Sequence, residues 1–225
     1  MNLYFLVEGT SELRVYPKLI EYFLPNLSRV KYANDATENN YYLITGRGYP
    51  SILDNYLADS IDDINSCGNY DILILAIDAD LLSVQDKIAE VNSFIRKNKL
   101  KLHNCSLEIV VQNRCIETWF LGNRKVYSRN PTNLEFIEFT KFYDVSENDP
   151  ELMRKPSDFN GELVDYHYKY LKRMLREKNI SYSKTKPNEV GKPYYIEELK
   201  KRIQETPNHL ASLKNFFDFC NSKNV

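Results

Sequence analysis

The chain has 225 residues, 43% hydrophobic and 27% charged, with a formal net charge of −1. That length and balance suit one large domain, or a core domain with an appendage, and exclude a disordered chain. No apolar stretch approaches the length of a membrane span, and 7 glycines against 17 tyrosines leave little room for flexible linkers.

Leu3-Tyr4-Phe5-Leu6-Val7 is a continuous β-favouring apolar run, read as a strand buried on both faces. It stops at Glu8-Gly9-Thr10-Ser11-Glu12, where Gly9 is expected to permit a tight bend. Thr10 or Ser11 can cap a helix over 10–24, with Leu13, Tyr16, Ile20 and Phe23 on one face. Tyr41-Tyr42-Leu43-Ile44 reads as the second strand, closed by Gly46-Arg47-Gly48, and Pro50 opens a helix through about residue 57. The third strand, 71–77, runs into Asp78-Ala79-Asp80. A helix over 84–97 turns Ile88, Val91 and Ile95 inward, and 107–111 is the fourth strand. Strands alternating with helices imply βαβ crossovers and a parallel α/β sheet of Rossmann-like type.

Beyond residue 111 the pattern changes. An apolar helix starts near Cys115 and carries Glu117 and Trp119. Residues 129–161, rich in Pro, Asn and Asp, read as loop with short helices. A basic amphipathic helix over 163–178 follows, then a polar lysine-containing loop at 181–193 and two helices near 194–205 and 209–220. The expected organisation is an α/β domain over 1–125 and a mainly helical, basic extension over 126–225 that packs on it.

Charge is divided unevenly. Residues 169–202 hold 11 Lys/Arg against 4 Asp/Glu, which leaves the remainder acidic, with the acids concentrated between Asp54 and Glu90. Such a split suits a cation-binding half and a half that meets a polyanion. The four cysteines, Cys67, Cys105, Cys115 and Cys220, are scattered with no CxxC pair. With no leader evident, reduced thiols and a cytoplasmic location are expected. His103, His167 and His209 fall on separate elements and lack metal-ligand spacing.

The chemistry-bearing residues are the acids at the strand ends. Ligands in open α/β sheets bind outside the carboxyl ends of the strands. Glu8, Glu12, Asp78 and Asp80 would repel one another there unless a cation lay between them, and hard carboxylate oxygens suit Mg²⁺ or Mn²⁺. Asp78 and Asp80 point to opposite sides of an extended strand, so both reach one ion only if the strand has turned by Ala79. Each acid also has a plainer reading. Asp78 can cap the next helix, Glu12 can be a first-turn acid favoured by the helix dipole, and Glu117 can pair with Arg114 or Arg124. Trp119 reads as core. Arg47, Lys172, Arg173, Arg176, Lys184, Lys186 and Lys192, interleaved with Tyr182 and Tyr194, are candidate phosphate contacts along a nucleic-acid strand, or solvated surface charge.

Strand-Glu8-Gly9-x-x-Glu12-helix followed by strand-Asp78-x-Asp80 resembles the Toprim domain of topoisomerases, primases and OLD-type nucleases. Glu117-Thr118-Trp119-Phe120-Leu121 is similar to a Glu-[Ala/Thr]-Trp-x-Leu segment of small stand-alone bacterial Toprim-like proteins, and 209–216 is loosely like their C-terminal helix. The resemblance covers about the first 120 residues. It implies a Toprim-like sheet and a Mg²⁺-dependent nuclease cutting DNA or RNA. In that scheme Asp78 and Asp80 hold the metal, Glu8 is general base or ligand, and Glu12 and Glu117 complete the shell. Some members carry a third acid where this chain has Leu82, a place that Glu12 or Glu117 would fill. The resemblance further implies a role in bacterial defence against phage with an ATPase partner protein, since the chain has no ATPase motif, and leaves room for a homo-oligomer. The alternatives are a non-catalytic regulatory subunit and a binder of a small phosphorylated ligand.

Overall fold

The computed structural model describes residues 1–223. Five strands form one sheet: β1 (Leu3–Val7), β2 (Ser28–Arg29), β3 (Asn40–Thr45), β4 (Ile72–Asp78) and β5 (Ser106–Gln112). Their order is β2-β3-β1-β4-β5, and every pairing is parallel. The order reverses at β1, which lies between β3 and β4, with Val7 in register with Thr45 on one side and Ala76 on the other. This is the switch point at which open α/β sheets bind ligands.

Side chains alternate across the sheet. Leu3, Phe5, Val7, Ile74 and Ala76 enter one core, and Tyr4, Leu6, Leu73, Leu75 and Ile77 enter another. The second core is roofed by α2 (Ala58–Cys67) and α3 (Val84–Lys97). The first is roofed by α1 (Thr10–Phe23) and by the C-terminal half of the chain. That half contributes α4 (Ile116–Phe120), α5 (Leu134–Phe142), α6 (Leu163–Arg176), α7 (Pro193–Glu205) and α8 (Ala211–Lys223). Tyr170, Leu171, Met174 and Leu175 of α6 are fully buried in the same core as Phe5 of β1. The extension beyond residue 125 thus completes the first core, and each such buried side chain contributes about 1.5–3 kcal/mol.

Three local features depart from the sequence expectation. The short edge strand β2 was not anticipated, because its two residues are exposed and carry no burial pattern. The helix expected to end near residue 57 continues: Ile52–Leu57 winds as a π-helix and runs directly into α2. Ile61 and Ile64 prolong its apolar face, and Gly68, at φ 68°, ends it in the left-handed conformation. Gly9 has φ −129°, which any residue adopts, so the bend does not require glycine there. A Cβ at Gly9 would instead lie 2.9 Å from Glu12 Oε2, so this glycine makes room for a carboxylate. Among the described residues no helix is long and apolar enough to cross a membrane.

Candidate acidic site at the sheet switch point

The acids singled out by sequence gather at the carboxyl edge of β1 and β4. Strand β4 ends at Asp78, and Asp80 takes φ 52°, a left-handed turn that an aspartate tolerates better than most residues. Two bonds to the end of β5 and the loop after it hold this turn: Ala79 N–H donates to Gln112 O (2.9 Å) and Asp80 N–H to Arg114 O (3.0 Å). Arg114 Nη1 donates in return to the carbonyls of Asp80 (3.1 Å) and Leu82 (3.3 Å). Arg114 is therefore a brace for the Asp80 loop, and the partner of Glu117 is Tyr182. Capping of α3 falls to Ser83, whose Oγ accepts from Asp86 N–H at 3.1 Å, so Asp78 is not needed as a cap.

Strand parity divides the site into two compartments. On the α1 side lie Asp78, Glu12 and Glu117. Glu12 Oε2 accepts from Gly9 N–H at 3.1 Å, closing the first turn of α1, so the first-turn role holds, while Oε1 faces Gln112. Gln112, fully buried at the end of β5 and in register with Asp78, orients its amide so that the carbonyl accepts from Tyr16 (3.0 Å). Its nitrogen then donates to Glu12 Oε1 (3.2 Å) and to Asp78 Oδ1. Glu117, 1% exposed, accepts from the Tyr182 hydroxyl at 3.2 Å. On the α3 side, Glu8 Oε2 accepts from Asp78 N–H at 3.0 Å, joining the compartments. Lys87, only 2% exposed, faces Glu8 and Asp80 from α3 and pairs with Glu90 at 2.9 Å.

Protonation follows from burial and like charge. Burial, then the charges of Glu12, Glu8 and Glu117, push the Asp78 carboxyl well above its ordinary range. Burial and the neighbouring Glu117 raise Glu12 to about 8. Burial also raises Glu8 and Asp80, opposed for Glu8 by the Asp78 N–H and for both by Lys87. Partial burial pulls the Lys184 ammonium down, but Glu117, Cys115, Asp78 and Glu12 more than offset it and raise its pKa. Lys184 thus stands in the field of the acids although it comes from the loop between α6 and α7.

A divalent cation suits this donor set in charge and in hardness: several carboxylates suppress one another's ionisation, opposed by Lys87 and Lys184. As they stand, no three His, Cys, Asp or Glu side chains among the described residues are grouped to hold a metal ion. Oxygens of Glu8, Glu12, Asp78 and Glu117 are each taken by a donor of the chain, namely the Asp78 and Gly9 N–H groups, Gln112 and Tyr182. Glu8, Glu12, Asp78, Asp80 and Glu117 are the residues from which a cation's ligands would be drawn, with Asp78 at the junction of the two compartments.

The basic residues are distributed unequally. Lys172 and Arg176 line a cavity of about 300 Å³ with Asn179, Ile180, Ser181 and Tyr182. Lys172 and Lys184 each lie 5.8 Å from the Tyr168 ring centroid. Lys186 closes a tight antiparallel bridge with Ser183. Arg47 is exposed beyond β3, 5.8 Å from the Tyr56 ring. Arg173 and Lys192 are committed to ion pairs with Glu135 (2.6 Å) and Glu189 (2.5 Å). Tyr182 is 4% exposed and holds Glu117, so it is not the stacking surface expected of it; Tyr194 is 39% exposed and donates to Glu189. Trp119 is fully buried, as its core reading required.

Sequence reasoning missed Gln112, Lys87, Tyr49 and Glu90. Gln112 was findable, since it ends the strand that follows the Asp-x-Asp strand. Lys87 was hidden because an isolated lysine on an amphipathic helix ordinarily faces water. No family model, curated protein or solved structure matches the chain.

Proposed function

We propose that this protein is a metal-dependent nuclease that cleaves phosphodiester bonds in DNA or RNA. The observation that carries this reading is the convergence of Glu8, Glu12, Asp78, Asp80 and Glu117 at the switch point of a parallel sheet, with Lys184 brought to them from the C-terminal half. Bound Mg²⁺ or Mn²⁺ would stabilise charge on the attacking and leaving oxygens of a phosphodiester. Glu8, on the more open α3 side and held by the Asp78 N–H, would accept a proton from a nucleophilic water. Lys184 offers a positive charge to a non-bridging phosphate oxygen, and Lys172, Arg176 and Lys186 extend that charge along the strand. The resemblance to Toprim nucleases points the same way, and a role in defence against phage alongside an ATPase partner rests on that resemblance alone.

One observation favours a second reading, a non-catalytic regulatory subunit: the acids already satisfy themselves with Gln112, Tyr182 and backbone N–H groups. Calorimetric titration with Mn²⁺ separates the two. The nuclease reading expects saturable Mn²⁺ binding that Asp80→Asn weakens by at least about tenfold, a loss of roughly 1.4 kcal/mol. No Mn²⁺ binding by the folded wild type would favour the regulatory subunit.

A further inference from the structure

Tyr49 lies beside the acidic site and takes no part in the assignment above. An exposed tyrosine is ordinary on a protein surface, but this ring is fixed at several points. Its hydroxyl donates to Glu90 Oε1 at 2.7 Å. The Lys87 ammonium sits 4.1 Å from the ring centroid and is itself only 2% exposed. The Tyr49 backbone N–H faces the Glu8 carboxylate, and the neighbouring Gly48 N–H donates to Glu8 O at 2.8 Å. Glu90 ties the assembly together by bonding both the tyrosine and the lysine. Tyr49 nevertheless keeps 43% of its residue surface exposed.

The ammonium covers one face of the ring, which leaves the opposite face as the one a stacking partner would meet. A cation on one face of an aromatic ring also draws electron density from the opposite face, which favours stacking on an electron-rich base. Rigidity matters here, because a ring already held in place loses little freedom when a partner docks. Within a duplex each base face is covered by its neighbours, so a fixed platform of this kind receives a base that has left the stack.

We propose that the open face of Tyr49 is a stacking site for an unpaired nucleobase of a polynucleotide strand, next to the phosphate that enters the acidic site. This rests on the nucleic-acid reading above and narrows its substrate to single-stranded or locally unstacked strands. Arg47, exposed two residues earlier, is positioned to follow the backbone of the same strand.

The test is fluorescence anisotropy with short labelled oligodeoxyribonucleotides and oligoribonucleotides, single-stranded and as matched duplexes, with Ca²⁺ replacing the catalytic metal. Wild type is expected to bind one of the single strands at least about tenfold more tightly than its duplex. Tyr49→Ala should lose roughly tenfold to a hundredfold on that single strand, the usual range for a base–aromatic stack. Tyr49→Trp should restore binding and quench 2-aminopurine placed in the strand. Unchanged affinity of Tyr49→Ala, an equal loss on duplex, or failure of Tyr49→Trp to rescue would overturn the stacking site and leave the nuclease reading standing. Absence of binding by wild type to every strand would overturn both.

Discussion

Glu12 gathers several roles in one side chain. It closes the first turn of α1, faces Gln112 across β5, and occupies space that a side chain at position 9 would fill. Burial and Glu117 raise its pKa to about 8, and the same causes raise Asp78. The sign of the resulting pH dependence is fixed. A carboxyl whose folded pKa exceeds its unfolded value binds more protons when folded, so its contribution to stability is full below the unfolded value, about 4.3. That contribution is lost as pH rises through about 8. Glu151, raised by burial to about 7, adds in the same direction. The melting temperature in EDTA should therefore fall between about pH 5 and about pH 9, and Glu12→Gln should flatten part of that fall. A melting temperature that rises over this window would contradict the protonation scheme. The acids at positions 8, 12, 78 and 80 were legible in the sequence because they cluster at the ends of two buried apolar strands or in the first turn of the helix that follows. Gln112 could have been found from its place at the end of the next strand, but Lys87 could not, because its importance comes from burial beside the acids.

At the scale of elements, the small helix α4 depends on α8. Trp119 Nε1 donates to Ser212 Oγ at 2.7 Å, and Asn113 N–H donates to the same oxygen at 3.1 Å. Ser212 Oγ in turn donates to Glu151 Oε1 at 2.7 Å. Glu151 also accepts from the N–H groups of Ser212 (3.0 Å) and Leu213 (3.2 Å), an acidic cap on the N-terminus of α8. Through Trp119 this latch fixes the helix that carries Glu117. Ser212→Ala strands several buried partners at once, and urea denaturation should show a loss of about 1–3 kcal/mol with a changed emission from Trp119, the one tryptophan of the chain. A loss below about 0.5 kcal/mol would show that the latch is not needed, since that is the scale of an ordinary surface change. The strands β1, β3, β4 and β5 and the helices α1, α3 and α6 were readable from hydrophobic periodicity. The latch was not, because Ser212 and Glu151 are polar and 61 residues apart.

For the whole molecule, the sequence division near residue 125 marks a change of pattern, and the two halves share one core. The α/β half supplies Glu8, Glu12, Asp78 and Asp80. The helical half supplies Tyr182, which holds Glu117, and Lys184, whose ammonium stands in the field of the acids. Charge asymmetry in the sequence foretold a basic half, but only the packing of α6 and α7 on the sheet shows that it is Lys184 whose ammonium feels the charge of the acids. The central claim is tested most directly by incubating wild type, Glu8→Ala, Asp80→Ala and Lys184→Ala with plasmid DNA and structured RNA in Mn²⁺. The account predicts cleavage of at least one substrate by wild type, none by the two acid variants while they remain folded, and a rate lower by roughly a hundredfold in Lys184→Ala. Cleavage that survives both acid substitutions, or no cleavage of either substrate by wild type, would contradict it.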